Sequence, residues 1–277
     1  MASKTGIAWT ESTWNPTVGC TVLSPGCTHC YAMREAARIA RFGGPVAPKY
    51  QGLTQKTRAG PVWTGELRLW EPALAQPMRW GRPRMIFVNS MSDLAHEAMP
   101  VEWFARIFQA MTEARRARGH VFQVLTKRPE NLVALLAAIG VTRPPDGMWF
   151  GVSAEDERRW DERVPWLARI PTEVPWVSVE PQLELIDRDP KGLGWIVIGG
   201  ESGKPRDKAR PFDAQWARTM IRRCQRAGVP VFMKQLGSVA ADGNRPLPTK
   251  HYAGAEPEEW PADIRVREYP RQSPAQH

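Results

Sequence analysis

Residues 85–126 read MIFVNSMSDLAHEAMPVEWFARIFQAMTEARRARGHVFQVLT, and this stretch decides the expected fold. Its two ends, 85–88 and 121–125, are short continuous apolar runs, which are typical of strands buried on both faces of a parallel sheet. Between them, Pro100 opens a segment whose apolar residues recur at helical spacing until Gly119. The stretch therefore predicts a strand, a helix and a second, parallel strand.

The same alternation extends along the chain in both directions. Seven strands that alternate with helices imply an α/β fold with right-handed crossovers. We favour a partial or irregular (β/α) barrel of the TIM type, with about six or seven parallel strands. An open doubly wound sheet is the alternative. The further strands are expected at 6–9, 148–152, 176–179, 195–198 and 229–233, and the further helices at 31–40, 130–139, after Ser153 and at 212–227.

Three regions of different character suggest the domain organisation. The barrel domain is expected to occupy residues 1–240. Within it, residues 43–83 are rich in proline and glycine and predict an irregular insertion, of the kind that often forms a lid or faces a substrate. Residues 241–277 are rich in proline and charge and predict a C-terminal extension that is partly disordered.

Three of the four cysteines lie in the segment WNPTVGCTVLSPGCTHCYA at 14–32, where Cys20, Cys27 and Cys30 are spaced C-x6-C-x2-C. Its glycines and prolines predict a loop, which lets thiolates converge on one metal centre. A structural zinc site needs four ligands, whereas three cysteines with one open position suit a [4Fe-4S] cluster. Zinc, a disulfide with one thiol left over, and redox or core cysteines remain open. Cys224 lies in a predicted helix and is expected to be a core residue.

Composition restricts the classes of partner. The chain has 277 residues, a net charge of +9 and a pI near 9.7. This balance favours an anionic partner such as nucleic acid, although 38 basic residues mixed with 29 acidic ones also fit an ordinary basic surface. No apolar run approaches the roughly 18 residues of a membrane span, and no signal-peptide core is present. We therefore expect a cytoplasmic protein with reduced cysteines and no membrane partner.

Polar or glycine residues follow six of the predicted strands. In parallel α/β folds the loops at the carboxyl ends of strands converge, and sites are built there. Each residue taken alone is also a common helix cap, but their recurrence favours a site. The candidates are Asn89, Ser90, Asp93, Thr126, Lys127, Arg128, Ser153, Glu155, Glu180, Gly199, Gly200, Glu201, Lys234 and Gln235.

The string NPTVGC…SPGCTHCYA resembles the cluster loop of radical S-adenosylmethionine (SAM) enzymes, especially the spore photoproduct lyase-like branch. Within that group it is similar to a phage- and prophage-encoded family described by its three-cysteine motif. The resemblance covers about residues 5–240, through FVNSMSDL, QVLTKRPE, WVSVEP, IVIGGESG and FMKQLG. The cysteine loop departs from the usual radical-SAM pattern, because six residues rather than three separate Cys20 from Cys27.

The resemblance implies a cofactor and a reaction. Cys20, Cys27 and Cys30 would hold a [4Fe-4S] cluster whose open iron binds the amino and carboxylate groups of SAM. An electron from a donor partner would split SAM reductively and yield a 5′-deoxyadenosyl radical. The radical would act on a nucleic-acid base or nucleotide, as modification or repair. The resemblance names no further protein partner.

The resemblance also guides the roles of the candidate residues. His29 holds the position where the family keeps an aromatic residue near the adenine, and Tyr31 is assigned to the cofactor with it. Asn89, Ser90 or Asp93 would meet the SAM amino group. The other residues assigned to the cofactor are Ser153 and Glu155, at the ribose, and Glu180, Gly199, Gly200 and Glu201. Those assigned to the substrate are Lys127, Arg128, Lys234 and Gln235, of which the three cations would neutralise the SAM carboxylate or a substrate phosphate.

Two other functions fit the residues. A zinc-stabilised nucleic-acid-binding protein or nuclease would also use a basic charge and three cysteines. A degenerate barrel that keeps a cluster only for structure would show the same loop. The metal content and the fate of SAM separate these possibilities.

Overall fold

The first of two compact units in the chain holds the amino-terminal strands and helices. The structure is a computed structural model that describes residues 5–203 and 208–271. The first unit runs as far as Phe150 and includes Arg169–Thr172. Its elements are β1 (Ser12–Trp14), β2 (Thr17–Val18), α1 (Tyr31–Phe42), β3 (Thr54–Thr57), β4 (Gly60–Trp63), β5 (Arg68–Leu69), α2 (Glu71–Leu74), β6 (Met85–Val88), α3 (Val101–Arg118), β7 (Val121–Thr126), α4 (Pro129–Ala138) and the start of β8 (Met148–Ser153).

The second unit comprises Gly151–Ala168 and the chain from Glu173 onward. Its elements are the end of β8, α5 (Glu157–Leu167), β9 (Trp176–Val179), β10 (Trp195–Gly199), β11 (Phe212–Asp213), α6 (Ala214–Ala227), β12 (Val231–Gln235), β13 (Ala240–Asp242) and β14 (Arg245–Pro246).

Seven parallel strands form the central sheet, which confirms the predicted α/β class. Their order is β1-β6-β7-β8-β9-β10-β12, so the order along the chain never reverses across the sheet. A doubly wound sheet reverses its order at a switch point. The continuous order is therefore compatible with a partial (β/α) barrel and disfavours the doubly wound alternative. The register aligns Ser12 with Ile86 and Met85 with Val121 in the first unit, and Trp176 with Trp195 and Ile196 with Val231 in the second.

The strand predicted at 6–9 is wrong, because the first strand is β1. The backbone N–H of Thr10 donates to the carbonyl of Ile7 at 3.3 Å, so this part of the chain turns. Trp9 is buried, which accounts for the apolar signal there. The strand itself has the sequence Ser-Thr-Trp, which contains no apolar run, and it is held by pairing with β6. Strand formation here depends on the neighbouring strand more than on intrinsic propensity.

Helix α3 shows how the remaining elements follow the sequence pattern. Its residues Phe104, Ile107, Phe108 and Met111 are buried on one face, as their spacing predicts. Gly119 ends the helix in the left-handed region with φ 72°, which glycine adopts without steric cost. Among the residues that the structure describes, no helix combines the length and apolar composition that a membrane span requires.

The segment 43–83 contains regular structure and packs on helix α1. It holds the antiparallel hairpin β3–β4 and the short strand β5, which pairs with β2. Trp63 at the end of the hairpin is buried in one apolar cluster with Ala32 and Ala36 of α1. The insertion thus covers the helix that follows the cysteine loop.

Residues 241–271 pack within the second unit. Trp260 and Ile264 are buried, and the backbone N–H of Met233 donates to the carbonyl of Val266 at 2.8 Å. The indole N–H of Trp195 donates to the carbonyl of Glu268 at 2.9 Å. The disorder predicted for the very end of the extension falls on residues 272–277, which lie outside the described residues.

Gly151 in β8 makes room for a buried tryptophan of the second unit. A Cβ atom at this position would lie 2.5 Å from the indole ring of Trp176, the residue paired with Gly151 in β9. The Trp176 ring in turn lies 5.5 Å from the ring of Trp195, measured between centroids. Close packing of this aromatic pair therefore requires a residue without a side chain at position 151.

We predict that Gly151→Ala lowers the free energy of unfolding by about 1–3 kcal/mol, because overpacking forces the indole or the backbone to move. Chemical denaturation measures the change. Gly81→Ala is the matched control, since nothing lies within 4 Å of a Cβ there, and its effect should stay within about 0.5 kcal/mol. Equal effects of the two substitutions would contradict the steric role of Gly151.

Candidate functional site

The cysteine loop is attached to the edge of the sheet through Gly19. The backbone N–H of Gly19 donates to the carbonyl of Met91 at 3.2 Å, and the Ser92 hydroxyl donates to the carbonyl of Gly19 at 2.7 Å. A Cβ atom on Gly19 would lie 2.0 Å from the carbonyl oxygen of Glu66, and its φ is 95°. Only glycine fits here, so the backbone path directly before Cys20 depends on this residue.

The loop brings the three predicted metal ligands into one region of the first unit. Cys20 follows β2, Cys27 ends a short 3₁₀ turn, and Cys30 is the residue before α1. All three are free and half-buried, whereas Cys224 is buried in α6, as predicted for a core cysteine. The backbone N–H of Cys30 donates to the carbonyl of Cys27 at 3.2 Å, which closes the last turn before the helix.

The three thiols influence one another electrostatically. The pKa of Cys20 is raised to about 12, mainly by burial, and Asp93, Cys30 and Cys27 contribute to this rise. Arg128 opposes them. Burial also raises the pKa of Cys30. Without a cation, the Cys20 thiol therefore stays protonated at neutral pH, and a bound metal would have to displace its proton.

These thiols are not assembled into a closed coordination sphere. In residues 5–203 and 208–271, no three His, Cys, Asp or Glu side chains are arranged to hold a metal ion. The donor set nonetheless consists of three thiols on one loop, which suits a soft metal or an iron–sulfur cluster by its chemistry.

Arg128 links the cysteine loop to the ends of β6 and β7. Its guanidinium donates to the Thr21 hydroxyl at 2.5 Å, to the Asp93 carboxylate at 3.0 Å and also to Glu97. It approaches the Cys20 sulfur at 3.9 Å. Only 7% of the Arg128 side chain is exposed. A buried guanidinium is tolerated when all of its donors find acceptors, so these contacts form one interdependent network.

Asp93 is already saturated by donors from the protein. One carboxylate oxygen accepts from the Thr126 hydroxyl at 2.6 Å and from the Ala95 backbone at 3.0 Å. The other accepts from the Lys127 backbone at 3.0 Å and from Arg128. Its contacts make Asp93 an anchor for Arg128 in this structure, and its predicted contact with the SAM amino group stays a prediction.

Three residues absent from the predicted site complete the network: Thr21, His96 and Glu97. The Ala98 backbone donates to His96 Nδ1 at 3.1 Å, so in the neutral ring the proton lies on Nε2, 3.0 Å from the Thr21 hydroxyl. That hydroxyl donates to Glu97 at 2.8 Å. Burial lowers the pKa of His96, which favours this neutral form. The sequence signals them only by position: Thr21 directly follows Cys20 in GCT, and His96 and Glu97 follow Asp93 in DLAHE.

Asn89 holds a strained backbone at the same edge. It is the only non-glycine residue with positive φ, 65°, among the described residues, and it is buried. Its side-chain amide donates to the Thr17 hydroxyl at 2.7 Å. Its side-chain oxygen has no partner within the described part of the chain. Burying an oxygen that accepts no hydrogen bond costs free energy. Asn89 is therefore a candidate to accept a hydrogen bond from a ligand.

The other candidates of the first unit surround this region. Tyr31 is half-exposed and donates to the Ser90 carbonyl at 2.9 Å, while the Ser90 hydroxyl donates to the Asn15 side chain at 3.1 Å. His29 is exposed on the turn before Cys30. Lys127 is close enough to oppose the rise in the pKa of Cys30 that burial causes. The structure thus brings together the three cysteines with Tyr31, Asn89, Ser90, Asp93, Lys127 and Arg128.

The candidates of the second unit form their own ion pairs. Glu155 is fully buried against Arg163 at 2.9 Å, and Arg163 also donates to the Ser153 carbonyl at 2.7 Å. Glu201 accepts from the backbone and side chain of Arg210.

Glu180 and Lys234 form a further pair in the second unit, 2.8 Å apart. A Cβ on Gly199 would lie 2.8 Å from the Glu180 carboxylate, so glycine leaves room for it. The Gln235 side chain donates to the Gly200 carbonyl at 2.9 Å. The contacts of this set with a cofactor or a substrate stay predictions.

We predict that Arg128→Lys loosens the cysteine loop while the chain stays folded, because lysine cannot reproduce the forked contacts. Losing one charge-assisted hydrogen bond, about 1.5–3 kcal/mol, should raise the rate of thiol modification roughly tenfold or more. The rate is measured with a disulfide reagent under native conditions. Arg163→Lys makes the same substitution in the buried ion pair with Glu155 of the second unit and should leave the rate unchanged. An unchanged rate in Arg128→Lys would show that the cysteine loop keeps its conformation without the contacts of Arg128.

Comparison with known proteins places the chain in a family without assigning an activity. No curated protein and no solved structure matches the chain. Residues 4–263 match one protein family, which accounts for nearly the whole chain. The chain belongs to the family described as protein of unknown function (DUF5131).

Proposed function

We propose that this chain is a radical SAM enzyme whose [4Fe-4S] cluster is held by Cys20, Cys27 and Cys30. The observation that carries the proposal is the set of three free thiols on one loop that Arg128 ties to the sheet edge. The monotonic strand order supports a further proposal, that the sheet is a partial TIM-type barrel. Sites of such barrels lie at the carboxyl ends of the strands, where the loop is attached.

The residues present fit this cofactor in their donor chemistry. Three cysteines of one loop supply three thiolates, and the fourth cysteine of the chain, Cys224, is buried in α6 of the second unit. When bound, the cluster supplies one electron for the reductive cleavage of SAM. The positive charges of Arg128 and Lys127 oppose the rise that burial causes in the pKa of Cys20 and of Cys30, respectively, so both cations stabilise the thiolate form that binds iron.

Asn89 is the residue best suited to orient SAM. Its unpartnered side-chain oxygen accepts hydrogen bonds, and an ammonium group donates them. Asp93 and Glu155 are less useful probes of binding than expected from sequence, because each lies in a buried ion pair. Substituting either acid would change stability together with any effect on SAM.

The proposal includes the setting of the reaction. Cysteines must stay reduced to bind a cluster, and the three loop cysteines form no disulfide. We therefore infer a reducing compartment, the cytoplasm, in which an electron donor supplies the enzyme. The net charge of +9 supports a nucleic-acid or nucleotide substrate, which the radical would modify or repair.

We predict that Cys20→Ala, Cys27→Ala and Cys30→Ala each abolish cluster assembly, because each removes one of three ligands. Cys224→Ala is the control and should keep the iron and sulfide content of the parent. Both are measured after anaerobic reconstitution, with zinc analysed in parallel. A loop variant that retains full iron, or a parent that takes up only zinc, contradicts the proposal. A cluster that assembles but does not cleave SAM with a reductant indicates a structural cluster.

We predict that Asn89→Gly weakens SAM binding about tenfold to a hundredfold, as expected for one lost hydrogen bond to a charged group. Stability should change by less than about 1 kcal/mol, since glycine relieves the left-handed backbone while the bond to Thr17 is removed. Calorimetric titration of SAM into the reconstituted protein gives the affinity. Gln123→Leu removes another buried amide with an unpartnered oxygen, inside β7. This control should bind SAM like the parent, and equal losses would exclude a specific role for Asn89.

A further inference from the structure

The outer face of helix α1 combines cations with exposed aromatic rings. The helix begins directly after Cys30 and buries Ala32, Met33 and Ala36 on its inner face. Residues at positions three, four and seven apart share one face of a helix. The outer face is formed in this way by Tyr31, Arg34, Arg38, Arg41 and Phe42, all of them exposed.

The neighbouring hairpin β3–β4 adds to this charge. It packs against α1 and exposes Lys56 and Arg58. Residues 31–63 contain six lysines or arginines and a single acid, Glu35. Five of the six cations are exposed, whereas Lys49 is buried. Glu35 accepts from Arg38 at 2.9 Å and therefore offsets one of the cations. The surface of α1 and the hairpin keeps a strong positive potential, which attracts phosphates.

The aromatic residues narrow the kind of polyanion. Phe42 is 73% exposed and Tyr31 is 49% exposed, so a face of each ring is open to a ligand. The Arg41 guanidinium lies 5.9 Å from the centre of the Phe42 ring. A basic surface that also exposes aromatic rings suits single-stranded nucleic acid, because the cations contact phosphates and unpaired bases stack on the rings. A duplex hides its base faces and would not use Phe42.

We propose that α1 and the hairpin β3–β4 form a binding surface for single-stranded nucleic acid and guide the strand to the cysteine loop. That the bound strand is the substrate rests on the proposed function. The binding itself does not depend on it, because the surface consists of residues outside the cysteine set. DNA and RNA share the chemistry of phosphates and bases, and the experiment separates them.

The test is fluorescence anisotropy with labelled single-stranded oligothymidylate, oligouridylate and a duplex of equal length, over a series of salt concentrations. The full chain is used both as purified and after anaerobic reconstitution. We expect both single strands to bind and the duplex to bind more weakly. The more tightly bound single strand then identifies DNA or RNA as the preferred ligand. A duplex that binds as well as the single strands overturns the proposal.

Charge variants locate the surface. Arg34→Glu with Arg41→Glu should lower affinity on the order of a hundredfold and reduce the salt slope by about 0.7 for each phosphate that is no longer neutralised. Arg222→Glu with Arg226→Glu is the matched control, because both arginines are exposed on α6 and the change in net charge is the same. Equal losses in the two double variants overturn the assignment to α1. If the first variant does not fold, Arg34→Gln with Arg41→Gln replaces it.

The aromatic residue separates nucleic acid from other anionic partners. Phe42→Ala should weaken binding of the single strand on the order of tenfold, the usual effect of removing one ring on which a base stacks, and Phe42→Trp should restore it. An unchanged affinity in Phe42→Ala would mean that the surface binds any polyanion, such as an acidic protein, and would overturn the proposal.

A cluster-deficient variant separates the two proposals. Cys27→Ala should bind the strand like the parent, since Cys27 is not part of the surface. A parent that assembles no cluster but binds the strand refutes the enzyme and leaves this inference standing. A parent that cleaves SAM but binds no strand refutes this inference alone.

Discussion

The Arg128 guanidinium is the contact on which the candidate site depends. The cysteine loop has few apolar anchors of its own, since Val22 and Leu23 within it are exposed. Its position is set instead by a buried cation that reaches Thr21 and approaches Cys20 from the end of β7. Burying a guanidinium costs several kcal/mol unless its donors are satisfied. Asp93 and Glu97 accept hydrogen bonds from the guanidinium. The cysteine loop and the segments after β6 and β7 must therefore be in place together for Arg128 to be buried.

The same network sets the electrostatic state of the thiols. Asp93 and the neighbouring cysteines disfavour a thiolate at Cys20, while Arg128 favours it, and burial decides the balance toward the neutral thiol. A soft cation would reverse this balance, because it compensates the negative charges that otherwise repel one another. Asn89 lies beside this region and has a left-handed backbone and an unpartnered side-chain oxygen. Both features cost free energy, and such features cluster where ligands bind.

The strand-end acids show that one sequence signal has several structural meanings. Glu155, Glu180 and Glu201 each follow a strand of the second unit, and each is paired with a cation of its own unit, Arg163, Lys234 and Arg210 respectively. Asp93 is likewise paired with Arg128 in the first unit. These carboxylates stabilise the loops that follow the strands. The position of a residue at a strand end therefore indicates a site region, while its free donors and acceptors depend on its partners.

The sequence by itself determined the α/β class, the approximate positions of the longer helices and the cysteine cluster, because apolar runs, helical spacing, glycines and cysteine spacing are local properties. Helix α3 ends at Gly119 as its pattern predicts. Only the tertiary structure decided where the first strand lies, since Ser12–Trp14 is a strand through its pairing with β6. It also decided that Arg128 contacts Thr21, 107 residues away, and that the Asn89 oxygen lacks a donor. Such contacts depend on which side chains become neighbours once the sheet has formed. The periodicity of apolar residues predicts helices and strands and carries no information on these long-range contacts.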